Sequence, residues 1–528
     1  MRLSDLIAGE PLRLAAGDGD RVRVCDLTEH SRTVVPGSLF IARPGTKTDG
    51  RSFIADAIEA GAVAVLTDAQ TSPDVKGVAT LVADDVPLAS ARIAERFFGN
   101  PSKRLALIGI TGTNGKTTVA HLAHHVLNKI GVRCGLIGTV EIDDGSGIAP
   151  AEMTTPPAIE LSRSLANMVE AGCDAAVMEV SSHALDQRRA AALAFDVGVI
   201  TNLSRDHLDY HETMDAYASA KRRLFELVAA REDSPGLAIV NADDPDAVAI
   251  AAAAARGRVS PCTASGEAYG GWSVRIGASS HSRTTLKLRG PGIAIDQSVA
   301  FLGLHNAMNI CQACAASVEV ARLCSNSRAD TRDDADLAGA VARALSLADP
   351  PRGRLEPVHG PGDDIRVYID FAHTDDALSR TLAAVRSVTD RAAALWVVFG
   401  AGGEKDKGKR PRMGRATSIY ADRVIVTSDN PRREDPSAII ADVLTGVSAT
   451  LRTKVAVHAD RERAIREAIF AAAPGDVLVI AGKGHETEQV LPASDGTVIR
   501  RHFDDREVAQ RFLKERHVRR AAPAGTAL

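Results

Sequence analysis

Leu105-Ala106-Leu107-Ile108-Gly109-Ile110-Thr111-Gly112-Thr113-Asn114-Gly115-Lys116-Thr117-Thr118 is the stretch that decides the fold. Residues 105–110 are an apolar run of strand length, and residues 116–130 read as a helix. Between them lies a glycine-containing loop. Strand, loop, lysine and helix in that order make a phosphate cradle. The glycines let main-chain N–H groups close around phosphate oxygens, and the helix N-terminus adds a favourable dipole. Lys116 can neutralise β- and γ-phosphate charge, and Thr117 can hold Mg²⁺. A full Walker A pattern would place Gly where Ile110 stands, so the match is to the G-x-x-G-K-T core.

Further apolar runs end on polar residues: 175–178 before Glu179, 197–200 before Asn202, and 237–240 before Asn241. Strands alternating with helices predict a mostly parallel sheet with helices on both faces. Ligands of such sheets sit at the C-terminal strand ends, where these polar residues fall. Towards the N-terminus, residues 35–42 read as a turn entering a strand, 53–62 as a helix and 62–66 as a strand. Residues 99–102 break the pattern and predict a linker. Residues 324–336 predict a surface loop or frayed helix, and 349–354 a second linker. A third α/β set follows, with strands at 366–369, 394–399, 423–427 and 477–480. The tail 519–528 is Ala/Pro/Gly-rich and predicts disorder.

The chain has 528 residues, 45% of them hydrophobic and 25% charged, with a formal net charge of -4. That length suggests roughly three domains, here 1–101, 102–347 and 348–528. Such a balance marks the chain as neither a nucleic-acid binder nor a membrane-surface binder. Met1 to Glu10 lacks the apolar run of a signal peptide, and residues 247–255 are too short to span a bilayer. Seven scattered cysteines suit a reducing compartment. Cys311 and Cys314 read as two buried helix cysteines, not a metal or redox pair. The expectation is a cytoplasmic protein.

Glu179, in Glu179-Val180-Ser181-Ser182-His183, ends a strand where a carboxylate could reach a metal held by the phosphate loop. Asp206-His207-Leu208-Asp209-Tyr210-His211 gathers two acids and two histidines at the end of the next strand. Lys221 lies in a helical stretch and, on sequence alone, reads as a surface lysine.

Together these motifs resemble the Mur ligases. The resemblance runs through Thr111 to Thr118, Glu179 to His183, Asp206 to His211, and Lys221. It continues in Gly303 to Asn309, Arg354, Asp370-Phe371-Ala372-His373-Thr374 and Gly482-Lys483-Gly484-His485-Glu486, in order along nearly the whole chain. It implies a central P-loop domain with a doubly wound, mostly parallel sheet. An N-terminal α/β UDP-binding domain and a C-terminal Rossmann-like α/β domain would flank it. It implies ATP and Mg²⁺ as cofactors, and UDP-MurNAc-dipeptide and an amino acid as small-molecule substrates of a monomer.

By the same resemblance Gly112, Thr113, Asn114, Gly115, Lys116, Thr117 and Thr118 serve ATP, and Asn306, Arg354 and Asp370 contact its nucleotide part. Thr117, Glu179, His207 and a carbamylated Lys221 would hold the metal, with Lys116, Glu179, His207 and Lys221 catalytic. A carbamate turns a cation into an anion that can bind Mg²⁺. Ser31, Thr46, Lys47 and Thr48 would face the uridine diphosphate. Thr154, Thr155, Ser181, Gln187 and Arg189 would face the sugar-peptide. His30 stands where many relatives carry Asp.

Asp429-Asn430-Pro431-Arg432 would select the amino acid. An arginine beside a proline-fixed turn is a rigid fork for a carboxylate. Meso-diaminopimelate carries a second carboxylate that L-lysine lacks. Gly482 and Glu486 would hold its far amino end. Lys405 stands where relatives commonly carry Arg. The alternatives are an L-lysine-adding Mur ligase, a folylpolyglutamate synthase, and a P-loop switch without ligase activity.

Overall fold

The structure is a computed structural model describing residues 1–45, 48–70, 77–231, 235–252, 258–266, 269–328 and 333–521. It is built on three α/β sheets in chain order, as the sequence predicts. The first has five strands in spatial order Leu12–Ala16, Ala79–Ala83, Ala64–Thr67, Ser38–Ile41 and Asp26–Thr28. Only the Leu12–Ala16 edge runs antiparallel.

The second sheet has eleven strands. At its centre Ala106–Thr111 lies parallel between Ala175–Glu179 and Val197–Ile200. Glu179 pairs with Ile110 and Ile200 with Thr111, so the ends of all three strands reach one edge. Ile108 and Ile110 pack beneath the helices Lys116–Lys129 and Leu304–Arg328. Leu107 packs on the opposite face, with residues of Ala158–Glu170 and Met214–Ala229. Burial on both faces is why this strand carries no alternation. Ile108→Ala would cost roughly 2–5 kcal/mol through lost burial and a cavity. The helix Lys116–Lys129 therefore stands rigidly behind the phosphate loop.

The third sheet has six strands, in order Arg354–Pro357, Arg366–Asp370, Val477–Ala481, Leu395–Phe399, Arg423–Thr427 and Val455–His458. All are parallel except Arg354–Pro357.

Several expectations are corrected. Residues 99–102 are no loose linker: Pro101 and Ser102 are buried, and the Ser102 hydroxyl donates to Glu95 at 2.8 Å. Of the stretch 324–336, expected as a surface loop or frayed helix, the first residues end the Leu304–Arg328 helix and the last open Asp334–Ser346, while 329–332 lie outside the described residues. The helix Asp505–Ala521 covers the start of the tail expected to be disordered, while 522–528 lie outside the described residues. An antiparallel extension, Trp272–Ser279, Thr284–Gly290 and Ile293–Val299, was not anticipated. Its signal is present, since Thr284–Gly290 alternates buried and exposed residues at the two-residue period of a half-solvated strand. Cys311 and Cys314 are buried in the Leu304–Arg328 helix, as expected. Among the described residues no helix is long and apolar enough to cross a membrane.

Candidate active-site cleft

At the edge where the central strands end, the chain turns through Gly112 to Gly115. A side chain at Gly112 would stand 1.9 Å from Thr201 Oγ1, and φ there is 139°. At Gly115, φ is 89° and a Cβ would meet Asn309 Oδ1 at 2.5 Å. Both positions require glycine. Thr113 N–H donates to Asn202 O at 2.9 Å, and Asn114 N–H to Asn202 Oδ1 at 3.0 Å. These bonds fix the loop. The N–H groups of Lys116, Thr117 and Thr118 open the helix and have no intrahelical acceptor, so they face an anion site.

Two lysines meet on one carbonyl. Lys116 Nζ donates to Gly112 O at 3.0 Å, and Lys221 Nζ to the same oxygen at 2.9 Å. Lys221 is not the surface lysine its sequence suggests: it is 1% exposed and lies 4.3 Å over the Tyr217 ring. Burial, then the charge of Lys116, holds its amine well below the ordinary range. Burial also lowers Lys116.

Thr117 Oγ1 donates to Glu179 Oε2 at 3.0 Å, and Arg354 Nη2 donates to Thr117 Oγ1 at 2.9 Å. Glu179 is fully buried, and its Oε1 accepts Thr139 N–H at 2.7 Å. His207 has a left-handed backbone, φ 55°, and burial pushes its imidazole down to about 3. It is therefore neutral. His211 turns away to Ser182 Oγ at 3.0 Å, and Asp209 lies 4.0 Å from Lys405 Nζ. Among the described residues no group of three His, Cys, Asp or Glu side chains converges as a metal site.

Asp206, quoted in the resemblance motif but given no role there, joins the central and third sheets. Its carboxylate lies 3.6 Å from His207, His373 and Lys409. Burial alone would raise it, but the hydrogen bond from His373 and the charges of Lys409 and His373 hold it below the usual carboxylate range. Arg205 pairs with Asp406 at 3.0 Å, and Asn114 Nδ2 donates to Asp376 at 3.1 Å. The third sheet is thus drawn down over the phosphate loop.

Arg354 is stacked 4.5 Å over Phe371, and its Nε is buried without a hydrogen-bond partner among the described residues. Asp370 is tied to its own backbone, accepting from Leu355 N–H at 2.7 Å and Ala372 N–H at 3.0 Å. Asn306 bonds Leu302 O and Asn309, beside Gly115.

At the far end, Asn430 Nδ2 donates to Glu486 Oε2 at 2.7 Å. Arg432 holds φ 55°, a strained conformation for a branched-Cβ-free but bulky residue. Its N–H donates to Val490 O, and its Nη1 to Gly403 O at 2.7 Å. The main-chain bond pins the turn, and the guanidinium itself is aimed by the Gly403 and Asn430 carbonyls, both accepting from Nη1. Pro431 anchors the same turn, its carbonyl accepting from Glu434 N–H. One cavity of about 1020 Å³ joins the two ends. Lys116, Thr117, Glu179, His207, Asn306, Arg354 and Asp370 line it, and so do Lys405, Asp429, Asn430, Arg432, Gly482 and Glu486.

Residues 27–98, 110–317 and 353–484 match, in turn, the Mur ligase family catalytic domain, the Mur ligase middle domain, and the Mur ligase glutamate ligase domain. The UDP-N-acetylmuramoyl-L-alanyl-D-glutamate--2,6-diaminopimelate ligase of Chlorobaculum tepidum is 41% identical over 96% of each chain. The chain belongs to the Mur ligase family. A solved structure of a UDP-N-acetylmuramoyl-L-alanyl-D-glutamate--2,6-diaminopimelate ligase superposes with a TM-score of 0.65 at 29% identity, over 98% of this chain and 99% of that one. A Mycobacterium tuberculosis folylpolyglutamate synthase complexed with ADP and AMPPCP shares the fold, with a TM-score of 0.57 at 20% identity over 74% of this chain and 91% of that one.

The remaining residues named from the Mur ligase resemblance divide. Thr154 lines the cleft and accepts from Thr139 Oγ1 at 3.1 Å. Thr155 is buried, donating to Glu179 O at 2.9 Å. Ser181 caps a short helix at Ala184 N–H. Arg189 clasps Gln187 Oε1 at 2.7 Å and Thr155 O at 2.8 Å. These form one wall. Ser31 stands apart from it, in the first-sheet segment beside a second cavity of about 410 Å³ lined by Thr28, Glu29, His30 and Arg163. Thr46 and Lys47 lie outside the described residues, and Thr48 borders them. Sequence reasoning missed Lys409 and Arg43, and it quoted Asp206, Asn309 and Lys483 within motifs without giving them a role of their own. Arg43 Nη2 donates to Gln187 O at 2.8 Å, tying the first sheet to the central one. A long-range pairing of this kind leaves no local pattern to read.

Proposed function

We propose that this chain is the ATP-dependent ligase that adds meso-2,6-diaminopimelate to UDP-N-acetylmuramoyl-L-alanyl-D-glutamate, forming the third peptide bond of a cell-wall precursor. The observation that carries the proposal is the single cleft. It has a phosphate cradle at one end and the Asn430, Arg432 and Glu486 cluster at the other. The 41% identity to a ligase of that name supports it. The first sheet serves the uridine diphosphate, the central sheet ATP and the third sheet the amino acid, with boundaries near residues 101 and 347. A complete cleft within one chain suits a monomer, and the small substrates suit the cytoplasm.

A carboxylate and an ammonium do not condense in water, so the carboxylate must first be activated. The D-glutamate side-chain carboxylate attacks the γ-phosphorus of ATP. The bond to ADP breaks and an acyl phosphate forms. Two anions approach in this step, and Lys116 with the helix N–H groups offsets their repulsion. The amine of diaminopimelate then attacks the acyl carbon and loses a proton, and phosphate leaves from the tetrahedral adduct. Closure over the loop by Arg205–Asp406 and Asp206–Lys409 excludes water that would hydrolyse the acyl phosphate.

Thr117 and Glu179 offer adjacent oxygens that suit Mg²⁺, which would supply charge neutralisation to the phosphates. Burial and the charge of Lys116 favour the neutral form of the Lys221 amine, whose lone pair could attack CO₂, giving a carbamate and a proton, and the carbamate would complete an oxygen-rich set.

The folylpolyglutamate reading accounts for neither the first sheet nor the Arg432 turn. The test is ATP-dependent tripeptide formation by the purified protein with Mg²⁺, UDP-MurNAc-dipeptide and meso-diaminopimelate, run beside L-lysine and beside tetrahydrofolate with glutamate. ATP consumption without coupled tripeptide overturns the proposal. Equal rates with L-lysine overturn only the choice of amino acid.

A further inference from the structure

Lys483 follows the Val477–Ala481 strand and is fully buried, a costly place for an ammonium. Its Nζ has three acceptors: Glu488 O at 2.5 Å, Glu486 Oε2 at 3.3 Å and Asn430 Oδ1 at 3.5 Å. Asn430 Oδ1 also accepts Val490 N–H at 3.0 Å. Two donors on that oxygen settle which way the amide points, and its NH₂ is turned onto Glu486. Glu486 is therefore held through Oε2 by both Lys483 and Asn430. Its Oε1 makes no hydrogen bond among the described residues, while Glu486 lines the cleft.

We infer that Lys483 is a positioning residue for the incoming amino acid, the buried charge against which Glu486 and Asn430 are set to receive the ammonium at the far end of a diamino acid. This rests on the ligase reading above. Lys483 need not touch the substrate. It acts by presenting a carboxylate whose second oxygen is left for an N⁺–H donor, the strong class of hydrogen bond.

The charges facing Glu486 make this testable by pH. Burial and the nearby Asp429 carboxylate raise it, while Lys483 and the Asn430 amide pull it down. Arg461, paired with Asp505 at 2.7 Å, adds positive charge from below, and the neutral His485 adjoins it in sequence. Without Lys483 the raising influences are less opposed. Glu486 is then more protonated at neutral pH and regains its charge as pH rises.

The experiment measures kcat and KM separately for meso-diaminopimelate and for ATP in wild type, Lys483→Gln, Lys483→Arg, Glu486→Gln and the Lys483→Gln/Glu486→Gln double variant, from pH 6.5 to 8.5. Lys483→Gln should raise KM for diaminopimelate roughly 10- to 100-fold at pH 7, with KM for ATP unchanged. That KM should fall towards the wild-type value as pH rises. Lys483→Arg keeps the charge and should restore the wild-type pH profile. The double variant should be no worse than Glu486→Gln. A pH-independent loss, equal losses for ATP and amino acid, or additive losses in the double variant would each overturn the inference. If Lys483→Gln does not fold, Lys483→Met, closer in shape to the buried side chain, is read in its place: KM for diaminopimelate should rise and that for ATP should not, and an unaltered KM for diaminopimelate overturns the inference. Wild type that makes no tripeptide would sink the ligase reading instead.

Discussion

At the phosphate end of the cleft, the anion site is made chiefly of main chain. Loop N–H groups, a helix terminus and two glycines do the work, braced by a parallel sheet buried on both faces. At the amino-acid end it is made of side chains. Asn430 and Arg432 come from one loop and Lys483 and Glu486 from another, and bonds between the two loops hold them in place. The first device recognises charge and tetrahedral phosphate oxygens, which every nucleoside triphosphate shares. The second recognises where a carboxylate and an ammonium stand relative to each other. Chemistry should fail when the first is damaged, and selectivity when the second is.

The largest effect expected from breaking this contrast is at Lys116. Lys116→Met should lower kcat by roughly 10³-fold or more, since it removes the cation facing the transferred phosphoryl group. The fold should survive, because the side chain's only bonds are to loop carbonyls. Steady-state phosphate release with a melting curve checks both points. An active Lys116→Met protein would mean that the loop does not hold the reacting phosphates.

Next comes Arg432. Arg432→Ala should reduce the preference for meso-diaminopimelate over L-lysine by roughly 10²-fold or more, with kcat for the preferred substrate less affected. The loss comes from the carboxylate that only one substrate has. The readout is the ratio of kcat/KM for the two amino acids. If both fall together, Arg432 shapes the turn and does not choose the substrate.

The same contrast explains what the sequence could disclose. A main-chain site is encoded locally, so Gly112, Gly115 and Lys116 announced it within a dozen residues. The apolar runs at 105–110 and 175–178 likewise located the central strands. Lys221 shows the limit: its spacing in a helix says nothing about the Tyr217 ring and Gly112 carbonyl that bury it. Only the family resemblance singled it out. Lys483 and Asp206 stood in legible motifs but received no role, because each gains meaning from partners tens or hundreds of positions away, such as Asn430 and Lys409. The antiparallel extension was legible by its alternation and was overlooked beside the stronger βα pattern.

Between the two ends lies the clasp that brings them together. Arg205 and Asp406 pair at 3.0 Å across the cleft, the arginine partly exposed. Such a pair contributes roughly 0.2–1 kcal/mol. Arg205→Ala should therefore raise KM for the amino acid about two- to five-fold, and the difference from wild type should shrink in high salt as the pair is screened. Scattering with ATP and both substrates bound should show compaction in wild type and less in the variant. A salt-independent effect would place Arg205 in some other role.

The smallest change tests whether charge or shape matters beside Arg432. Lys405 lies 4.0 Å from Asp209 and lines the cleft at its amino-acid end. Its ammonium keeps the charge that relatives commonly supply with arginine, without the planar fork. Because the Arg432 guanidinium is already aimed by Gly403 O and Asn430 O, the fork is present once in this site. Lys405→Arg should then alter KM for meso-diaminopimelate by no more than about three-fold, whereas Lys405→Met, losing the charge, should do clearly more. If the arginine variant instead binds tenfold tighter, the carboxylate is gripped by two forks in concert, and the division of labour between the ends must be redrawn with Lys405 inside the selecting group.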